Sequence, residues 1–132
     1  MSVEGLITIE SRHPVGVTID RLASRLAANG VTVFARIDHA AGAASVGMEL
    51  RPTELLIFGQ PRTGTPLMQA VQSIGIDLPL KMLAWQDEAG KVLLAFNDMV
   101  WLARRHGVGG TAVGAAEAIG KGLAALATAA AA

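Results

Sequence analysis

The sequence predicts an α+β domain of two layers, one mixed sheet of about five strands with helices mainly on one face. Three observations carry that prediction. A strand, an amphipathic helix and a second strand follow one another through short connections between Gly5 and Ile37. The segment Glu54 to Phe58, apolar without alternation after Glu54, reads as a buried strand. Two further strand-like segments flank Asp87-Glu88-Ala89-Gly90, as in a hairpin.

Gly5 to Ser11 alternates Leu6 and Thr8 against Ile7 and Ile9, and His13-Pro14 ends it. Thr18 is the expected N-cap of a helix with Ile19, Leu22, Ala23, Leu26 and Ala27 at helical spacing, and Gly30 is its left-handed stop. Val31 to Ile37 alternates again and forms the second strand. A strand, a helix of about three turns and a strand favour a right-handed crossover and a parallel pair. Asp38 caps a small alanine-rich turn or helix, His39 to Gly47. Glu54 to Phe58 lacks alternation, so it is placed centrally and covered on both sides. Gly59-Gln60-Pro61 breaks it; Thr65-Pro66 reads as N-cap and first residue of a helix burying Leu67, Val71 and Ile74, with Gly75 as stop. Leu78 to Gln86 and Lys91 to Phe96 form the hairpin, with Gly90 at the residue needing positive φ. Asn97-Asp98 caps a helix from Met99 to Arg105.

Residues 1–107 therefore make a single domain, and 108–132 an Ala/Gly-rich helical extension. Its Ile119, Leu123 and Leu126 would dock on the core or on a partner subunit. Gly110 and Gly114 form a small-xxx-small pair, but Glu117 and Lys121 sit mid-segment at roughly 3 kcal/mol each in a bilayer, which argues against a span.

The 132 residues are enough for one core. Hydrophobic residues make up 52% and aromatics only 4%, so that core is aliphatic and alanine-rich. Net charge is zero without a basic stripe, which argues against nucleic acid and against an electrostatic membrane surface. The absence of cysteine excludes disulfides, thiolate metal sites and a Cys nucleophile. Met1 to Arg12 has no basic start and no long apolar run, the pattern expected of a cytoplasmic protein.

Two polar loops are candidate sites. Asp38 and His39 follow a strand, where His39 could act as general base with a carboxylate beside it, or Asp38 simply caps the next helix. Gly59 to Pro66 leads from a strand to a helix N-terminus, where free N–H groups and the Arg62 guanidinium suit an anion; otherwise it is a Pro/Gly connection with Arg62 solvated. It matches neither GxxxxGK[ST] nor GxGxxG. Glu49 and Arg51 bracket Leu50 and suit a local ion pair. A metal site would need His13, His39 and His106 with Asp38 or Glu49, none at HxH or HExxH spacing, so no metal is expected. Ser11, Ser24, Ser45 and Ser73 lack a GxSxG elbow, and Trp85 and Trp101 read as core or dimer-interface anchors.

The segments Asp38-His39-Ala40-Ala41-Gly42-Ala43, Glu49-Leu50-Arg51-Pro52-Thr53, Phe58-Gly59-Gln60-Pro61, Gly64-Thr65-Pro66-Leu67-Met68, Leu78-Pro79-Leu80-Lys81, Asn97-Asp98 and Arg105-His106 together resemble the domain of unknown function 302 family, in the same order from about Ser11 to Gly107. The resemblance implies a small two-layer fold with a curved sheet backed by helices, often dimeric, and no reaction. It places the family's characteristic polar positions on Asp38, His39, Glu49, Arg51, Thr65, Lys81 and His106. Members often carry Asn where Gln60 stands and Tyr where Phe96 stands.

Three functions are compatible with these residues. The first is a module binding a small anionic or polar metabolite between the Asp38-His39 turn and the Arg62 to Thr65 helix start, with His39, Arg51, Gln60, Arg62, Thr63, Thr65 and Lys81 as ligand contacts. The second is a small enzyme with His39 as base, oriented by Asp38 or Glu49, and Arg51 or Lys81 stabilising negative charge. The third is a homodimeric assembly module without a ligand. Whether any cofactor is used is not determined by these residues.

Overall fold

The computed structural model describes residues 2–132. Its five strands are β1 (Leu6–Ser11), β2 (Thr32–Asp38), β3 (Thr53–Gly59), β4 (Leu80–Gln86) and β5 (Val92–Asn97). The helices are α1 (Val15–Ala28), α2 (His39–Ser45), α3 (Pro61–Ala70), α4 (Met99–Arg105) and α5 (Thr111–Ala131), with a 3₁₀ turn at Gln72–Asp77. The strands form one sheet in the order β1-β5-β4-β3-β2.

Every neighbouring pair is antiparallel, so the expected mixed sheet is corrected to an antiparallel one. The expected parallel pairing of the first two strands fails because β1 and β2 lie at opposite edges. Between them α1 crosses the sheet: 14 residues span about 21 Å, against about 19 Å for four inter-strand gaps. Short connections around a helix bound its length but not how many strands it crosses.

The core lies between one sheet face and the helices. Leu56, Phe58, Met82, Ala84, Leu94 and Phe96 point inward and meet Ile19, Leu22 and Leu26 of α1. Successive strand residues alternate faces, so Leu55, Ile57, Leu83, Trp85 and Leu93 point the other way, and none belongs to this core. β3 is thus covered on one side only and lies second from an edge; β4 is the central strand.

Helix starts differ from expectation in two places. α1 begins at Val15 after Pro14, and Thr18 is buried one turn in. Its hydroxyl lies 2.7 Å from Ser11 Oγ and donates to the Pro14 carbonyl at 3.0 Å, so the polar atom is satisfied inside the protein. α3 begins at Pro61, with Gln60 rather than Thr65 as N-cap, and Pro66 sits inside the helix. Gly75 does not stop that helix but lies in the following 3₁₀ turn. Elsewhere the local chemistry is as expected: Gly30 (φ +69) follows α1, Gly90 (φ +86) turns the β4–β5 hairpin, Asp38 Oδ1 accepts from Ala41 N, and Asp98 Oδ1 accepts from Val100 N and Trp101 N.

The last helix, α5, packs along α1 and buries Ala116, Leu123, Ala127, Ala130 and Ala131. Its final carbonyls are held by Arg21 of α1: Nε donates to Ala130 O at 2.9 Å and Nη2 to Ala129 O at 3.1 Å. A cation at a helix C-terminus is favoured by both the free carbonyls and the dipole. Among the described residues, no helix is long and apolar enough to cross a membrane.

Trp101 is half-buried against the core, and its ring closes over Gly5, which has φ +75. A Cβ at Gly5 would lie 2.5 Å from the ring. Gly5→Ala therefore meets both a positive φ and a clash, and is expected to cost about 2 kcal/mol or more in urea unfolding. A cost under about 0.5 kcal/mol would show that Trp101 yields freely.

Candidate functional site

The antiparallel sheet separates the two polar loops. Asp38 at the end of β2 pairs with Glu54 at the start of β3, whereas Thr32 pairs with Gly59. The Asp38-His39 turn and the Gln60 to Thr65 segment therefore occupy opposite ends of the same two strands, five or six residues or about 20 Å apart. The shared crevice expected for them does not form.

At the first end, Asp38 uses its carboxylate as the α2 cap, and His39, Glu49 and Arg51 are exposed. Arg51 Nε donates to the Gln86 carbonyl at 3.1 Å, tying the loop before β3 to the hairpin. Beside it, Ala40, Ala44, Met48, Glu49, Leu50 and Arg51 line a shallow, open depression. Among the described residues, no group of three or more acidic, His or Cys side chains could hold a metal.

At the other end the chain builds a cavity. Gly59 ends β3, Gln60 turns it, and α3 runs back over the strand ends to the 3₁₀ turn and the cis Leu78–Pro79 bond that leads into β4. This open groove has a volume of about 330 Å³, with Phe34, Pro61, Gly64, Met68, Leu78 and Pro79 among its walls and Ile119 contributed by α5. A recess of about 150 Å³ shares Gly59, Gln60, Thr63, Leu80 and Ile119 with it and continues under α5 toward Leu26, Val31 and Leu126. Phe34 reaches the mouth because it is the extra residue of a bulge between Val33 and Ala35.

The side-chain hydrogen-bonding groups of this groove come from Gln60, Thr63 and Thr65. Gln60 Nε2 donates to the Gly30 carbonyl at 3.0 Å, which leaves its Oε1 as an acceptor at the groove rim. Arg62 is exposed and does not line the groove. Nor does the α3 start offer a full set of free N–H groups. Pro61 has none, and Thr63 N and Gly64 N both donate to the Gln60 carbonyl at 3.0 and 3.2 Å. Lys81 points to the sheet face opposite Met82, next to Ile57. The structure thus brings Gln60, Thr63 and Thr65 together and leaves His39, Arg51, Arg62 and Lys81 apart from them.

A polar cluster unforeseen from the sequence joins the 3₁₀ turn to α4. Asp77 accepts from Arg105 Nη1 at 2.8 Å and pairs with His106 Nε2 at 2.6 Å, while His106 Nδ1 lies 2.8 Å from Ser73 Oγ. The Asp77 carboxylate can only accept in its ionised form, so His106 Nε2 carries the hydrogen of that contact. Asp77 and His106 lie 29 residues apart; His106 stands in the Arg105-His106 segment that carries the family resemblance, whereas Asp77 lies in none of those segments. Arg36 forms another bracket: its guanidinium bonds Glu54 Oε1 at 2.8 Å, Asp20 and the Gly16 carbonyl. Donating to Glu54 and then to Asp20 raises its pKa above the ordinary arginine value.

An antiparallel sheet backed on one face, with an apolar groove at the strand ends and a Ser73–His106–Asp77 cluster between the 3₁₀ turn and α4, defines a small α+β domain. The chain belongs to the family described as "Domain of unknown function DUF302", which it matches over residues 7–126. That match reaches beyond Gly107 and takes in most of α5. A solved structure, an uncharacterized conserved DUF302 protein from Bacillus stearothermophilus, superposes with a TM-score of 0.82 at 20% identity, covering 96% of this chain and 98% of that one. This likeness establishes the shared fold.

Curated relatives include "Fluoride-specific ion channel FluC 1" of Brucella suis biovar 1 (strain 1330), 54% identical over 105 residues, which cover 80% of this chain and 41% of that protein. "Fluoride-specific ion channel FluC 2" of Brucella melitensis biotype 1 matches equally, over 39% of its length. The chain spans about two fifths of the curated relatives it matches.

Proposed function

We propose that this domain binds a small apolar or amphiphilic molecule in the groove between α3, the start of β4 and α5. The observation that carries this reading is the lining: a preformed space of about 330 Å³ walled by Phe34, Met68, Leu78 and Ile119, with Gln60, Thr63 and Thr65 as its polar contacts. Cavities of this size and character suit small ligands, whose apolar body supplies affinity and whose few polar atoms fix orientation. An anionic metabolite fits less well, because Arg62 and Lys81 lie outside the lining and the Thr63 and Gly64 N–H groups of α3 are already engaged. A general-base role for His39 gains no support, since Asp38 serves as a helix cap and Glu49 stands on an open loop.

Native mass spectrometry of untagged protein, with denaturing mass analysis of the same sample, tests this. The expected result is an adduct of a few hundred daltons lost on denaturation, or one formed with added N-phenyl-1-naphthylamine, a neutral apolar probe. Neither adduct at micromolar probe would remove the reading.

A second reading rests on the Brucella relatives. A domain 54% identical to two fifths of proteins named as fluoride channels, and itself without a membrane-crossing helix among its described residues, would serve as a companion domain to such a channel. Co-purification of this chain with a separately expressed fluoride-channel protein in detergent is the expected result. Clean separation of the two at micromolar concentration would contradict it.

A further inference from the structure

We propose that Ser73, His106 and Asp77 form an acyl-transfer site, in which Ser73 Oγ attacks the carbonyl carbon of a small acyl ester with a good leaving group. These residues lie outside the groove lining, so the site stands independently of any ligand bound there. Ser73 Oγ is 2.8 Å from His106 Nδ1, and His106 Nε2 is 2.6 Å from Asp77 Oδ2. A hydroxyl within hydrogen-bond reach of a base, with the base held in turn by a carboxylate, is the arrangement that activates a serine. Here the ring is used in the reverse sense, with Nδ1 toward the nucleophile. Either nitrogen serves as base when the other carries the hydrogen.

Burial divides the roles. His106 and Asp77 are largely buried, whereas Ser73, second residue of the 3₁₀ turn, is exposed and open to a substrate. With the hydrogen of the neutral imidazole on Nε2, the lone pair on Nδ1 faces the serine. Arg105 Nη1 donates to both Asp77 oxygens, at 3.0 and 2.8 Å, and fixes the carboxylate; His106 N donates to the Leu102 carbonyl at 3.1 Å and fixes the other end of the residue. The Arg105–Asp77 pair already ties the turn to α4, so anchoring alone does not account for the further chain through His106 to an exposed hydroxyl. Residues three apart eclipse in a 3₁₀ helix, which sets exposed Ile76 on the same side of the turn as Ser73, where a short apolar acyl chain would lie against it. Aryl esters suit so open a site, because a phenolate leaves with little help. The bond from Oγ to the acyl carbon forms as the bond to the aryl oxygen breaks, and the serine proton passes to Nδ1 and then to the departing phenolate. Water, deprotonated by the same nitrogen, then releases the carboxylic acid and restores Ser73.

An alkyl fluorophosphonate tests the site, because it traps an activated serine: the Oγ–P bond forms, the P–F bond breaks, and fluoride leaves with the serine proton. Peptide mass analysis of the labelled protein is expected to place the adduct on Ser73. His106→Ala is expected to slow that labelling at least about 100-fold, the lower end of a general base's contribution, and added imidazole to restore part of it. Asp77 is a positioning residue, so adding Asp77→Ala to His106→Ala should abolish the imidazole rescue while the circular dichroism spectrum stays unchanged. Hydrolysis of p-nitrophenyl butyrate should fall to one common low level in Ser73→Ala, an exposed substitution, and in His106→Ala. Labelling of Ser73 at the same rate with and without His106, adducts only on other residues, or ester hydrolysis by Ser73→Ala equal to that of wild type overturns the proposal.

Discussion

Gly64→Leu is expected to weaken binding of N-phenyl-1-naphthylamine by at least about tenfold while leaving the protein folded. Gly64 lies in α3, facing the groove, and a Cβ there would stand 3.4 Å from Leu78 Cδ1 and 3.8 Å from Met68 Cε. The rest of a leucine side chain has only the groove to enter. A ligand that loses the space of four carbons loses apolar burial of about 0.8 kcal/mol per displaced methylene, so two displaced methylenes already account for tenfold. Folding stability has an opposing term, because leucine is favoured over glycine in a helix by nearly 1 kcal/mol. Stability should therefore stay within about 1 kcal/mol of wild type. Fluorescence titration of both proteins checks the pair of outcomes, and equal affinity would place the probe elsewhere.

Leu123→Ala carries the largest expected loss of stability on α5, about 2–4 kcal/mol in urea or guanidinium unfolding. Leu123 is 3% exposed and belongs to the same cluster as Leu22, Phe58 and Met82. Measured against a typical 5–15 kcal/mol for a whole domain, that is a large fraction. Ala124→Ser, one residue on and exposed, should change stability by no more than about 0.5 kcal/mol. Equal, small effects at both positions would mean that α5 frays from the core.

The helix pattern of α1, the hairpin with Gly90, and the caps at Asp38 and Asp98 were legible because each is a local rule satisfied by adjacent residues. Strand order was not, since nothing in residues 5–37 encodes how many strands α1 crosses. The run Leu55-Leu56-Ile57-Phe58 reads the same whether a second layer covers its outer side or leaves an apolar face open, and here Leu55 and Ile57 are on that face. The α1 start was masked by Thr18, whose hydroxyl looks like a cap but is satisfied internally through Ser11 and Pro14.

Site residues divide in the same way. Gln60, Thr63 and Thr65 came together because a strand end, a Pro turn and a helix start are contiguous. Arg62, on the same short segment, turns to solvent, and sequence spacing does not fix that orientation. Asp77, His106 and Ser73 meet only through the packing of the 3₁₀ turn on α4. The contribution of Ile119 required α5 to fold back over the sheet.

The central claim, a ligand groove at the α3 end of the sheet, is tested most directly by amide chemical-shift changes during titration with N-phenyl-1-naphthylamine. The account predicts saturable shifts concentrated at Gly59, Gln60, Thr63, Gly64, Gly75 and Ile119, all groove residues. Shifts centred instead on His39, Glu49 and Arg51, at the opposite end of β2 and β3, would contradict it.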